Sequence, residues 1–381
     1  MVRQESASLP AILVATIAVL FVGYLTKQAC FALGIGESFY CFSDYGGLYL
    51  ERDLAGGRFP YFPPALEYPS GLGLIIWFTS AVTSSALEFV RLTMAIAAVA
   101  GIVIGWLVWK QVGRRALMFA AAPTLALYAF LNWDLIALVF AVAGIVAFSR
   151  RRDSLAGAMI GIGAAIKAFP ILLLLPMLAD RWRYGERRAA ATLLTCAVAT
   201  VFALNAPVMW ASFDGWAHFL RFNSARPADW GTIWSAGCHA FGSGLCANIP
   251  LVNAISLIAF VAGSILTCVL VLRTAPHLPR WQLGFAILVM FFLTNKVYSP
   301  QYSLWILPWF ALVLPSIPLF LAYEAIDIGI YVTTFGWQQR LTGSGGLPLW
   351  SLHVFLALRA VLLVTMLVVF ARRSAAATRH E

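Results

Sequence analysis

Charged residues are scarce in this chain of 381 residues, since Asp, Glu, Lys and Arg together make up only 11% of it. Hydrophobic residues make up 61% and aromatic residues 14%, and the mean hydropathy is +0.85. A soluble domain of this length could not bury so much apolar surface. The composition therefore excludes a soluble globular protein and indicates one that lies in a lipid bilayer.

Several familiar motifs are also missing. The sequence has no Walker motif, no GxGxxG followed by an acid, and no HExxH. Soluble nucleotide binding and metalloprotease chemistry therefore have no support. His218 and His239 lack the spacing of metal ligands, and we assign them no role.

Basic residues outnumber acids and give a formal net charge of +10. They occur in short clusters between apolar runs: KQVGRR, SRRRD, DRWRYGERR and ARRSAAATRH. This spacing is typical of the cytoplasmic loops of membrane proteins, whereas a nucleic-acid-binding protein has a basic groove or stripe. The charge therefore reports topology, and we expect no nucleic-acid partner.

The apolar runs predict an all-α polytopic integral membrane protein that forms a single transmembrane domain over residues 1–381. The first run, residues 9–26, is interpreted as an uncleaved span because no small-residue cleavage pattern follows it. If segment 71–83 is re-entrant or interfacial, all Arg-rich connections fall on one side of the membrane. The prediction is then a bundle of about twelve (11–13) transmembrane helices, with both termini cytoplasmic.

Two long apolar segments must contain breaks for this topology to hold. Segment 155–179 is predicted to be a hairpin broken near Lys167 and Pro170, and segment 300–335 to be two spans that turn at residues 314–318. Short helices interrupted by proline are permitted inside a bundle because neighbouring helices cover the freed backbone groups.

Two long loops, 27–70 and 207–250, and a shorter one at 336–349 are then extracytoplasmic. Four of the 6 cysteines fall in the two long loops and are candidates for disulfides on the oxidising side. They are Cys30 and Cys41 in the first loop, and Cys238 and Cys246 in the second. Chance placement of these cysteines is the alternative.

The first loop contains four acids within CFSDYGGLYLERDLAGGRFPYFPPALEYP, namely Asp44, Glu51, Asp53 and Glu67. An Asp just outside a bilayer can act as general base toward an acceptor hydroxyl, and Tyr and Arg side chains nearby can hold sugars and phosphates. The Gly-Gly and Pro-Pro pairs predict a tightly turned loop. The alternative is a solvated acidic loop without a catalytic role.

Three further polar groups are predicted on the same face. Asp134, in NWDLIAL, faces a cavity, pairs with a cation or caps the next helix. Lys167 lies at the apex of the broken hairpin, where it binds a lipid phosphate or extends to the membrane surface. The segment TNKVYSPQYSLWILPW, with Lys296, Gln301 and Tyr302, suits a sugar-phosphate ligand or an interfacial aromatic belt.

Ionisable residues also occur inside the last two predicted spans. Glu324 and Asp327 lie three residues apart on one helical face, and Arg359 lies in the following span. This arrangement predicts a structural ion pair between neighbouring helices, and substrate contact is the alternative.

Three segments resemble those of known membrane enzymes. SDYGGLYLERDLAGGRFPYFPPALEYP is similar to the first loop of GT-C membrane mannosyltransferases, in which Asp-Tyr is followed by Gly-x-x-Pro-Tyr and then Tyr-Pro. TNKVYSPQYSLWILPW resembles a segment of GPI mannosyltransferase I, and it and IKAFPILLLLP are similar to segments of glycosyltransferase family 87. The matching positions are Asp44, Gly57, Pro60, Tyr61, Tyr68, Pro69, Asn295, Lys296, Val297, Gln301, Tyr302, Leu304 and Trp305. Phe42 and Ser43 stand where many relatives have a second acid, which leaves the acceptor preference open.

The resemblance implies a GT-C bundle that transfers a sugar, usually mannose, with inversion from a polyprenyl-phosphate donor to a lipid or glycan acceptor on the extracytoplasmic face. In this hypothesis Asp44 is the general base. The donor phosphate is bound by Lys296, Lys167, Arg58 and Arg221. The sugar and acceptor are bound by Tyr45, Asp53, Tyr61, Glu67, Tyr68, Asp134, Gln301 and Tyr302. A lipid-linked donor needs no metal clamp, so we expect no metal and no other cofactor.

Three alternatives stay open at this point. A pentose (arabinofuranosyl-type) transferase would use the same polyprenyl phosphate and differ only in its sugar pocket. A transporter or flippase of lipid-linked sugar would use the same cleft, although a carrier has little need of a long acid-bearing loop. A non-catalytic scaffold would tolerate replacement of Asp44.

Overall fold

The computed structural model describes residues 8–33, 39–242, 244–343 and 345–378, and for residues 29–33, 39 and 375–378 it describes the backbone alone. The side chain of Cys30 therefore lies outside the described residues, and with it the predicted pairing in the first loop.

The described residues form helices and contain no strand. The α-helices are α1 (Leu9–Leu33), α2 (Asp44–Glu51), α3 (Ser70–Ala81), α4 (Ala86–Val112), α5 (Leu117–Ala120), α6 (Pro123–Tyr128), α7 (Asp134–Ser149), α8 (Asp153–Ile166), α9 (Leu174–Arg183), α10 (Arg187–Ala211), α11 (Phe213–Ala225), α12 (Ile233–Phe241), α13 (Gly244–Ala247), α14 (Ile249–Thr274), α15 (Leu283–Thr294), α16 (Leu307–Leu312), α17 (Ile317–Leu341) and α18 (Leu349–Thr378). Short 3-10 segments lie between them at Phe39–Cys41, Ala55–Gly57, Gly113–Ala116, Phe169–Leu173, Arg280–Gln282 and Pro300–Ile306.

Within the described residues, six helical stretches are long and apolar enough to cross a membrane: Leu9–Gln28, Ala86–Ala120, Arg187–Ala211, Ile249–Thr274, Ile317–Leu341 and Leu349–Ser374. Shorter apolar stretches are Ser70–Ala81, Asp134–Ser149, Asp153–Ile166 and Arg280–Thr294. The protein is thus an all-α, multi-pass membrane protein, as the sequence predicts. The count of twelve spans and the re-entrant placement of segment 71–83 stay predictions.

Helix α8 packs closely against α10, and glycines of α8 allow this close approach. A Cβ atom on Gly157 would meet the carbonyl oxygen of Leu193, and one on Gly161 would come within 2.7 Å of the carbonyl oxygen of Ala197. Small residues let two helices approach closely in a bilayer, where packing rather than apolar burial holds helices together. This contact fixes the position of α8, whose far end carries Lys167.

Basic connections meet at one end of the bundle, which we call the basic end. Arg181 pairs with Asp153 at 2.7 Å (Nε to Oδ1), which brings the end of α9 beside the start of α8. Arg183 donates to the carbonyl oxygen of Leu278 at 3.2 Å, which adds the α14–α15 connection. Helices α8 and α15 start at this end and lead to Lys167 and Lys296 at the other.

The predicted breaks are confirmed. Helix α8 ends at Ile166, Lys167 has extended backbone, and a 3-10 segment follows from Phe169. Helix α16 ends at Leu312 and α17 begins at Ile317, close to the predicted turn. Proline lacks the amide hydrogen that a continuing helix requires, so these breaks are readable from sequence.

The predicted loops contain more helix than their composition indicates. Segment 207–250 includes α11, α12 and α13, and α17 extends to Leu341, inside segment 336–349. A disulfide joins Cys238 to Cys246 and so links α12 to α13. Cys196 and Cys268 are free thiols.

The predicted ion pair among Glu324, Asp327 and Arg359 is wrong, since none of the ion pairs among the described residues joins them. Glu324 instead accepts a 2.7 Å hydrogen bond from the backbone amide of Thr124, which caps the start of α6 inside the bundle. Asp327 accepts a 2.8 Å hydrogen bond from the Ser303 hydroxyl. Arg359 donates to a backbone carbonyl oxygen and lies 3.6 Å over the ring of Tyr298. Broken helices expose backbone groups in an apolar interior, and the side chains of Glu324 and Arg359 satisfy such groups instead of forming an ion pair.

Candidate active site

A cavity of ≈ 620 Å³ opens at the end of the bundle opposite the basic end. Five parts of the chain contribute to its wall: the start of α2, the entry to α3, residues 131–132, the break after α8, and residues 295–302. The second half of α11 and residues 226–230 close it. Polar residues in the lining are Asp44, Glu67, Tyr68, Asn132, Lys167, Asn223, Arg226, Asp229, Asn295, Lys296, Ser299, Gln301, Tyr302 and Gln338.

Asp44 is the first residue of α2, and the backbone around it is pinned. Ser43 is the N-cap, and its hydroxyl donates to the carbonyl oxygen of Phe130 at 2.8 Å. The backbone amide of Asp44 donates to the carbonyl oxygen of Leu131 at 2.9 Å. These two contacts place the carboxylate at the cavity wall without using any of its own oxygens.

The carboxylate of Asp44 is held by one side chain. Nδ2 of Asn132 donates to Oδ2 of Asp44 at 2.5 Å. Burial raises the pKa of Asp44 to about 6, while the Asn132 hydrogen bond and the charge of Lys167 oppose the rise. A carboxylate with a pKa near neutrality is a better proton acceptor than a free Asp and is still ionised at pH 7.

Asn132 is fixed in turn by its neighbours. Its Oδ1 accepts a hydrogen bond from the backbone amide of Trp133 at 2.7 Å, which points Nδ2 toward Asp44. The same Nδ2 also donates to the hydroxyl oxygen of Tyr68 at 2.8 Å. Burial holds the pKa of Tyr68 well above its ordinary value, so its hydroxyl keeps its proton and can donate it to a ligand.

Lys167 is a paired cation. Its Nζ lies 3.4 Å from Oδ2 of Asp134, which is fully buried. Nε1 of Trp305 donates to the other oxygen of Asp134 at 2.8 Å. Nζ of Lys167 also lies 4.9 Å from the centroid of the Tyr68 ring. Asp134 therefore lies behind the cavity wall and compensates the charge of Lys167, which itself lines the cavity.

Lys296 is a cation without such a partner. Its Nζ donates to the carbonyl oxygens of Ser224, at 3.4 Å, and of Arg226, and no carboxylate of the described residues lies within ion-pair distance of it. Burial and the charge of Arg226 lower the pKa of Lys296. Arg226 itself pairs with Asp229 at 3.1 Å. The backbone amide of Asp229 donates to the carbonyl oxygen of Lys296 at 2.8 Å, so the two segments form one wall.

Other predicted residues complete the lining. Glu67 accepts from both Nε and Nη2 of Arg52, at 3.0 and 2.8 Å, so its charge is compensated. Gln301 and Tyr302 also line the cavity, and the ring of Tyr302 stacks on Trp305 with 4.1 Å between centroids. Glu67, Tyr68, Lys167, Lys296, Gln301 and Tyr302 are thus brought together with Asp44.

Six predicted site residues do not line the cavity. Besides Asp134, two support its wall: Tyr45 donates to the carbonyl oxygen of Asn132 at 2.9 Å, and Tyr61 donates to that of Pro69 at 2.9 Å. The other three lie in exposed ion pairs, Arg58 with Asp53 at 2.7 Å and Arg221 with Asp214 at 3.5 Å. Asp53 and the two arginines are therefore compensated away from the site.

Among the polar lining residues that are absent from the predicted site, three contact its charged groups or the segment that carries Lys296: Asn132, Arg226 and Asp229. Asn132 stands two residues before Asp134 in a segment already singled out, so a search for side chains able to hold a carboxylate could have found it. Arg226 and Asp229 occur in segment 207–250 without a recognisable spacing, and only the fold brings them to Lys296.

A comparison with known protein families shows which family the chain belongs to. Residues 59–300 match the model of glycosyltransferase family 87. The chain belongs to glycosyltransferase family 87. The match spans the cavity wall from Glu67 to Pro300, and it supports glycosyl transfer by a multi-pass membrane protein. No curated protein gives a significant match to the chain. Asp44 precedes the matched region and joins the same cavity through Asn132.

Proposed function

We propose that the protein is an inverting glycosyltransferase that moves mannose from polyprenyl phosphate to a lipid or glycan acceptor on the extracytoplasmic face. The charges of the cavity carry this proposal. Among the described lining residues, Asp44 is the carboxylate without a cationic partner, and Lys296 is the cation without a carboxylate. Glycosyl transfer from a phosphate leaving group requires a base that accepts the proton of the acceptor and a cation that stabilises the departing phosphate. An uncompensated carboxylate and an uncompensated cation in one cavity meet both requirements.

In the proposed reaction Asp44 accepts the proton of the acceptor hydroxyl. The hydroxyl oxygen forms a bond to the anomeric carbon, and the bond from that carbon to the phosphate oxygen breaks on the opposite face. The configuration is therefore inverted. The leaving polyprenyl phosphate gains one negative charge, and Lys296 stabilises this charge as it develops. Lys167 contributes less because Asp134 already compensates it.

The orientation that we propose for the cavity supports a lipid-linked donor. The basic end is cytoplasmic by the positive-inside rule, which puts the cavity on the extracytoplasmic side. Nucleotide sugars are absent there, so the donor is lipid-linked. Aromatic side chains of α11, Phe219 and Phe222, and the aliphatic residues Ile171 and Leu172 form an apolar part of the lining that suits a prenyl chain.

The test is transfer of radiolabelled mannose from synthetic polyprenyl-phosphate-mannose in membranes that contain the chain. We expect Asp44→Asn to lower the rate about 100-fold or more, the usual contribution of a general base. Asp53→Asn is the matched control, because Asp53 lies in the same segment but is exposed and paired with Arg58. Its rate should stay close to that of the wild type.

Three outcomes would change the proposal. Equal rates for wild type and Asp44→Asn would remove Asp44 from the chemistry. Transfer from a polyprenyl-phosphate pentose and none from the mannose donor would replace the sugar. Movement of intact donor across the membrane without transfer would replace the enzyme by a transporter.

A further inference from the structure

The basic end has a cleft of its own, far from the cavity. The cleft has a volume of ≈ 630 Å³ and lies between the α7–α8 connection and the first residues of α10. Its lining residues are Arg151, Asp153, Gly185, Glu186, Arg187, Arg188 and Ala189.

The acids of this cleft are already compensated. Asp153 pairs with Arg181 at 2.7 Å, and Arg181 also lies 3.6 Å from Glu186. Arg151 pairs with the other oxygen of Glu186. Arg187 and Arg188 are exposed and have no carboxylate of the described residues within ion-pair distance. The cleft therefore carries an excess of positive charge.

An exposed apolar row begins close to these cations. Leu194 lies two turns after Arg187 on α10, and Val198 and Phe202 follow at intervals of four residues on the same face. Their exposed fractions are 43%, 57% and 67%. Trp182, beside the cleft, is 66% exposed, as interfacial tryptophans are. A ligand that fits both surfaces has an anionic head and an apolar tail.

We propose that this cleft binds an anionic phospholipid, with the phosphate against Arg187 and Arg188 and an acyl chain along the row from Leu194 to Phe202. A phospholipid fits better than free phosphate because the apolar row continues directly from the cations. Basic pockets between membrane helices favour such headgroups. The site is independent of the glycosyl-transfer chemistry.

The test is native mass spectrometry of the purified, delipidated full chain, titrated with phosphatidylglycerol or phosphatidylcholine of the same acyl chains. We expect the wild type to retain the first phosphatidylglycerol about fivefold or more tightly than phosphatidylcholine. Arg187→Gln with Arg188→Gln should abolish that preference, and Arg187→Lys with Arg188→Lys should keep most of it. Millimolar glycerol 3-phosphate should not displace the lipid, because it lacks the acyl chain.

The matched control is Arg114→Gln with Arg115→Gln, which removes the same charge at the basic end but outside the cleft. A 2.6 Å hydrogen bond from Gln111 to Ser149 places that connection beside the end of α7. The proposal fails if the control loses the preference as strongly as the cleft variant, or if the wild type holds both lipids equally. Displacement by glycerol 3-phosphate would show a site for soluble phosphate esters. The comparison of the two lipids uses the wild-type protein alone, so it tests the proposal even if a variant fails to fold.

Discussion

Asn132 orients Asp44 and also sets the ionisation of its carboxyl group. Its hydrogen bond favours the charged form and so keeps the pKa of Asp44 from rising further under burial. The amide cannot rotate away without losing its bond from the amide of Trp133. Asn132 is thus a positioning residue whose effect is measurable through pH.

The pH dependence of transfer should report this arrangement. We expect kcat/KM to fall as pH drops through about 6, the pKa of Asp44, because the protonated carboxyl group cannot accept a proton. Asn132→Ala should move this fall to higher pH, since the charged form loses its hydrogen bond. The measurement is the pH–rate profile of both proteins. An unshifted profile in the variant, with a lower rate throughout, would give Asn132 a purely structural role.

The two lysines of the cavity should respond differently to loss of charge. Lys296→Gln should lower kcat about 100-fold, because it removes the cation that stabilises the leaving phosphate in the proposed mechanism. We expect this change to cause little loss of stability. Lys167→Gln should destabilise the protein by about 3 kcal/mol, since it leaves buried Asp134 without its partner. Transfer kinetics and thermal unfolding in detergent separate the two. A larger stability loss in Lys296→Gln than in Lys167→Gln would contradict the assignment.

At the scale of elements, the breaks could be predicted but their partners could not. Proline marks the helix breaks near Lys167 and before α17. These breaks can be predicted from the sequence because the residue that causes them lies at the break itself. The bond from Asn132 to Asp44 joins residues 88 apart, and that from Trp305 to Asp134 joins residues 171 apart. Such contacts depend on how helices pack, and no spacing along the chain encodes them. The same reason explains why the predicted ion pair of Arg359 with Glu324 and Asp327 is wrong.

The α8–α10 contact should be intolerant of larger residues. Gly161→Val should force α8 away from α10, because even a Cβ would come within 2.7 Å of the carbonyl oxygen of Ala197 and 2.8 Å of Thr200. We expect a stability loss of about 1–3 kcal/mol and a lower transfer rate, since α8 carries Lys167. Gly237→Ala is the control, because a Cβ there meets open space. Thermal unfolding of both variants decides the point, and equal melting temperatures would count against the close packing.

At the scale of the whole molecule, the fold class does not determine which side of the membrane the cavity faces. In a chain whose free Cys196 and Cys268 are replaced by Ala, Asp53→Cys should react with a membrane-impermeant thiol reagent added to intact cells, and Arg114→Cys should not. The reason is that the proposed orientation places the basic connections on the cytoplasmic side. Labelling is read by a mass shift before and after permeabilisation. The reverse pattern would put the cavity in the cytoplasm and reopen nucleotide sugars as donors.

The hydrogen bonds between residues 43–44 and residues 130–131 have a consequence for the assignment of start codons in genes of this kind. The proposed base lies on a segment that precedes the matched region at residues 59–300, and contacts to residues 130–132 of that region hold it in the cavity wall. A start codon assigned too late, after Asp44, would leave the family match intact while deleting the proposed proton acceptor. Under the proposed mechanism, such a reading frame would encode a pocket that can bind its substrates and cannot join them.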